Sequence, residues 1–104
     1  MTTPRSIMQE VSPKLAEMTA EVLFGDIWER PELSKRDRSL ITVANLVALY
    51  RTDQLKGHIG RALDNGVTRD EISEVILHTT FYAGWPTGAN AARVAKEVFD
   101  ERGI

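Results

Sequence analysis

The chain has 104 residues, 42% of them hydrophobic and 27% charged, with a net charge of -2. This suits a single small soluble domain spanning 1–104 and provides no basic field for nucleic acid. It contains no cysteine, which excludes disulfide staples, thiolate metal ligands and all thiol redox chemistry.

Residues 1–11 offer little for burial beyond Ile7, Met8 and Val11, and are expected to be frayed or loosely docked. The opening MTTPRSIMQEVSP has no apolar signal core, so a cytoplasmic location is expected. Ser12 and Pro13 start a first helix, the serine hydroxyl capping it and proline sitting where no N–H is needed. Leu15, Met18 and Val22 recur at helical spacing up to about Phe24, and Gly25 can stop the helix. DIWERPEL then connects, with Ile27, Trp28 and Leu33 apolar enough to pin it and Pro31 disfavouring helix at Arg30.

Ser34 and Asp37 form a capping-box-like pair at the head of the central helix. Lys35, Arg36 and Arg38 crowd the same turn, where the helix dipole disfavours cations, so carboxylates or an anion must offset them. Across 39–50 there is no charge, and the apolar residues surround the helix instead of striping it. Such a helix belongs inside a core or a subunit interface, and the block is too short to cross a bilayer, which needs about 20 residues. Thr52 can cap a third helix over about 53–64, with Leu55, Ile59, Ala62 and Leu63 as its buried stripe and His58 at the border. Asn65 and Gly66 tolerate positive φ and end it. Thr68 and Glu71 form a capping box for a fourth helix with Ile72, Val75, Ile76, Thr79 and Ala83 inward. Trp85 and Pro86 start a last helix that Gly103 ends. No stretch alternates with period two, so the fold class is all-α, with five to six helices.

Two polar ridges emerge. Arg51, Gln54 and His58 step along the third helix, while His78 and Tyr82, with Trp85 just beyond, run along the fourth. If they meet, imidazole can move protons near neutrality, arginine can grip a carboxylate, and tyrosine or glutamine can stabilise an enolate-like oxygen. The structural alternative is a histidine satisfied at the edge of an apolar stripe. Glu74 and His78 are spaced for two metal ligands, but without cysteines or a dense carboxylate cluster no metal is expected. There is no phosphate-cradling glycine loop and no serine-nucleophile signature.

The helix RSLITVANLVAL, the element QLKGH, the join ALDNGVTRDEISEVILH and the segment FYAGWP together resemble the carboxymuconolactone decarboxylase family, of the alkylhydroperoxidase D-like fold. The resemblance covers residues 33–99. The thiol-peroxidase branch of that superfamily carries a glutamate, a CxxC pair and a histidine, whose positions fall here on Ser39, Arg51, Gln54 and His58. Only the histidine is kept, so the resemblance implies the cysteine-free branch and excludes thiol peroxidase activity.

That branch converts 4-carboxymuconolactone to the β-ketoadipate enol-lactone and carbon dioxide in aromatic-acid catabolism, with no cofactor. The resemblance thus implies a lyase with His58 and His78 as catalytic acid–base residues and Arg51, Gln54, Tyr82 and Trp85 binding a small carboxylic acid or lactone. It also implies a homo-oligomer, a trimer or hexamer, with no nucleic-acid or membrane partner. Two alternatives remain open: an enzyme acting on another lactone or acid, such as an isomerase, and a non-catalytic helical oligomer that binds a small hydrophobic acid.

Overall fold

The computed structural model describes residues 4–104, with side chains from Ile7 onward. All regular structure among them is helical, as expected. The chain forms two compact units that divide between Leu33 and Ser34.

In the first unit, α1 spans Pro4–Val11 and α2 spans Pro13–Met18. Residues 4–11 are therefore helical where fraying was expected, while 1–3 lie outside the described residues. Pro13 opens α2 as anticipated, but the Ser12 hydroxyl makes no capping bond. Beyond Met18 the helix widens into a π-helical stretch, Thr19–Phe24. At its start the Thr19 hydroxyl donates to the Leu15 carbonyl at 2.8 Å, a back-bond that bends a helix. Gly25 ends the stretch without a left-handed φ. A Cβ there would lie 2.6 Å from the Glu21 carbonyl oxygen, so backbone crowding is what requires glycine. Trp28, on a single 3-10 turn, is buried, with its ring 6.1 Å from that of Phe24. Leu15, Met18, Val22, Leu23 and Ile27 remain exposed and line an open apolar groove.

The second unit, Ser34–Ile104, is a four-helix bundle of α3 (Lys35–Ala48), α4 (Thr52–Asp64), α5 (Arg69–Ala83) and α6 (Trp85–Arg102). The Ser34 hydroxyl accepts from the Asp37 N–H at 3.0 Å, and Thr68 and Glu71 exchange both bonds of a full capping box. Arg36 pairs with Asp37 and with Glu71, so carboxylates offset its charge at the head of α3.

These pairs also report topology. Arg36 bonded to Glu71 sets the heads of α3 and α5 side by side, so the two run parallel. Lys56 reaches Glu97 and Glu101, and Arg102 reaches Asp64, so α4 and α6 are parallel too. Both α3 and α6 pack against α4 and against α5, while α4 and α5 share no comparable interface and occupy opposite corners. Val43, Val47, Leu55, Ile59, Ile72 and Val98 fill the centre, each almost fully withdrawn from water. At about 25 cal/mol per Å2 of apolar surface, such burial dominates the bundle's stability.

Three helix ends close with the same pair of backbone bonds. Gly66 and Gly103 take positive φ and let Val67 and Ile104 reach back to Ala62 and Phe99, whereas Asn65 keeps a negative φ. After α3 the left-handed residue is Tyr50, at φ 62°, with Arg51 N–H on the Leu46 carbonyl. A residue with a Cβ costs about 1–2 kcal/mol in that conformation. The Tyr50 hydroxyl is held by the Asn90 side-chain amide at 2.6 Å. Tyr50 is thus the break between α3 and α4. The cap of α4 is Arg51 and not Thr52, which is already helical.

Within one chain α3 is not surrounded. Ser39, Val43 and Val47 face inward, whereas Ile41 and Leu49 stay 48% and 58% exposed. Ser39, where the peroxidase branch has its glutamate, is sealed in and accepts a hydrogen bond from Asn65.

Candidate active site

The up-and-down order brings the end of α3, the start of α4, the end of α5 and the start of α6 to one end of the bundle. Arg51, Gln54, Tyr82 and Trp85 lie at that end, with His78 one turn below Tyr82. His58 lies farther along α4.

The two ridges do not form a common cluster within one chain. On α4, Leu55, Ile59 and Ala62 point into the core, while Lys56 and Gly60 face α6. At about 100° per residue, His58 and Gln54 fall on the opposite flank, toward α3. On α5, His78 and Tyr82 also fall on the α3 flank, where an open groove of about 410 Å3 runs between α3 and α5. Its lining includes Ile41, Ala44, Asn45 and Ala48 from α3, and His78, Thr79 and Tyr82 from α5. The exposed face of α3 therefore separates the α4 ridge from the α5 ridge.

The His78 and Tyr82 rings stack at 5.1 Å with a 34° tilt, as a pair four residues apart on a helix should. Phe81 and Trp85 meet edge to face at 5.6 Å just beyond. Phe81, Tyr82 and Trp85 are 67%, 81% and 69% exposed. Together they form an aromatic wall turned to water.

The two histidines sit in different surroundings. His78 is exposed, whereas His58 is half-buried, and burial pushes its pKa below the ordinary value, with repulsion from Arg61 adding to the shift. Its imidazole is accordingly neutral at pH 7. Among the described residues no group of three His, Asp or Glu side chains gathers as a metal cage.

Sequence reasoning missed Asn45, the lone amide in the uncharged block and now part of the groove lining. An amide carried on an otherwise apolar helix was the signal that could have found it. It also missed Tyr50 and Asn90, for which no local signal existed.

The second unit is thus an all-helical bundle with an imidazole and a phenol at the edge of a shallow, largely apolar groove. The sequence model of the carboxymuconolactone decarboxylase family matches residues 13–97, and the chain belongs to that family. It is 47% identical over 81 residues to a 4-carboxymuconolactone decarboxylase of Acinetobacter baylyi, covering 78% of this chain and 60% of the relative. It is also 33% identical over 85 residues to the nitrosuccinic acid decarboxylase npaB of Metarhizium robertsii, covering 82% and 59%. An uncharacterized 15.0 kDa protein of Paracoccus denitrificans is 27% identical over 96 residues, covering 90% and 72%. The chain thus spans about three-fifths of the length of the two decarboxylases it matches. Among the described residues no helix is long and apolar enough to cross a membrane.

Proposed function

We propose that the chain catalyses decarboxylation of a small lactone acid of the 4-carboxymuconolactone type. The observation that carries this reading is that the two relatives with named activities, 47% and 33% identical, are both decarboxylases of small organic acids. The groove is of a size to match, since sites for small ligands begin at about 300 Å3.

In the proposed reaction the bond to the departing carboxylate breaks, its electron pair spreads toward the lactone carbonyl, and a proton returns to carbon. Arg51 grips a carboxylate through its planar fork. Gln54 and Tyr82 donate hydrogen bonds to the oxygen that gains charge, a contact strongest in the transition state. His78, beside Tyr82 in the groove, delivers the proton. His58, held neutral by burial, acts through its N–H or as a base. Phe81 and Trp85 exclude water from one wall.

Because α4 and α5 stand at opposite corners of the bundle, the proposed site is completed by a second copy of the chain. The exposed Ile41, Leu49, Phe81 and Trp85 make the apolar surface on which that copy lies, as a trimer or hexamer in the cytoplasm.

The test is carbon dioxide release from 4-carboxymuconolactone and from nitrosuccinic acid, with His58→Ala and His78→Ala run beside the native protein. Release by the native protein that falls by about 100-fold or more in His78→Ala supports the reading. No release from either acid overturns it.

A further inference from the structure

On the flank of α5 turned away from the His78 groove, a second groove of about 370 Å3 lies between α5 and α6. Ile76, Ala92 and Ala95 line its apolar part, and Phe99 lies at one end. The Arg69 guanidinium stacks over the Phe99 ring, 4.8 Å from its centroid. Stacking occupies the flat face of the guanidinium and leaves its N–H donors at the rim. Among the described residues no carboxylate pairs with Arg69, although arginines elsewhere, such as Arg36, Arg93 and Arg102, each hold one.

The other charges at the groove cancel. Lys96 and Asp100 pair at 2.5 Å, so the groove carries one uncompensated positive charge, with the Ser73 hydroxyl also in its lining. A charge fixed against an aromatic ring, beside an apolar floor and a hydroxyl, complements a monoanion with a compact apolar body.

We propose that this groove binds an apolar monocarboxylate, with its carboxylate on Arg69 and Ser73 and its body over Ile76, Ala92 and Ala95. The site is separate from the proposed reaction groove and does not depend on that reading.

The test is a titration of the full chain with benzoate, followed by two-dimensional NMR, with benzylammonium as the cationic control. The expected result is saturable shifts at Ser73 and the Phe99 ring that benzylammonium does not cause. Arg69→Gln should weaken the binding by about tenfold or more, the scale of one charge-assisted pair. Ala92→Leu fills the floor from an exposed helical position and should block binding while leaving Arg69 in place. His78→Ala should leave the shifts unchanged. The proposal is overturned if millimolar benzoate gives no saturable shift at these residues, if both variants bind as the native chain does, or if the shifts fall only at His78 and Tyr82.

Discussion

Gly88→Ala should loosen the contact that places α5 against α6. A Cβ on Gly88 would lie 1.9 Å from Thr80 Oγ1, 3.0 Å from Thr80 Cβ and 3.1 Å from Cγ2. Thr80 cannot swing clear easily, because it is buried and its hydroxyl is tied to the Ile76 carbonyl at 2.7 Å. Rotating χ1 breaks that bond and still leaves the Thr80 Cβ 3.0 Å from the added methyl. Overpacking of this kind costs about 1–3 kcal/mol, and a locked atom under 2 Å away belongs at the upper end. The better helix propensity of alanine returns about 1 kcal/mol, for a net loss near 2 kcal/mol. In a domain of this size that lowers the melting temperature by about 10 °C. Circular dichroism at 222 nm during urea and thermal unfolding measures it. Gly57→Ala is the control, since nothing lies within 4 Å of its Cβ and it should gain about 0.5–1 kcal/mol. Adding Thr80→Ala to Gly88→Ala should recover a coupling of about 1–2 kcal/mol. Gly88→Ala stability within about 0.5 kcal/mol of native would refute the close approach.

Because the folded pKa of His58 lies below the unfolded one, the unfolded chain binds more protons as pH falls below about 6.5. Stability from this group is therefore complete above that pH and declines on acidification until the folded pKa is passed; His58→Gln should remove this slope from urea titrations between pH 5 and 7 (a window around the ordinary value of about 6.5). Thr68→Ala removes a cap and should cost about 1 kcal/mol, whereas Glu71→Gln, which weakens a partly exposed pair with Arg36, should cost less; the reverse order in chemical denaturation would count against the cap. Tyr50→Phe loses the Asn90 bond and keeps the left-handed strain, while Tyr50→Gly loses both, so the glycine variant should be more stable than the phenylalanine variant by about 1 kcal/mol. Equal midpoints would argue that Tyr50 is unstrained.

Local chemistry was readable from the chain. Thr68 with Glu71 became the full capping box it spelled, and Ser34 caps through its single bond from Asp37, because such bonds span only three residues. Ser12 and Thr52 did not become the caps expected of them. Leu55, Ile59, Ala62 and Ile72 became core, because their spacing selects one helix face. The surroundings of α3 were not readable: its apolar residues encircle the helix, and no periodicity tells which side the same chain covers. The widened turn after Met18 begins where the Thr19 hydroxyl bonds the Leu15 carbonyl, and composition does not reveal it. The spacing of each ridge along its helix was legible, but helix order alone does not say which helices stand at opposite corners. That placement is what keeps His58 and His78 apart.

The parallel pairings have an electrostatic consequence. The heads of α3 and α5 are closed by Ser34, Thr68 and Glu71, whereas α4 and α6 begin with no side-chain cap. Their leading N–H groups face the end that carries Arg51 and Trp85, where the half positive charge at the start of each helix is offset by about half a negative charge at the neighbouring ends of α3 and α5. A carboxylate arriving at that end is offered backbone hydrogen-bond donors but little net field, so long-range attraction there has to come from side-chain charge.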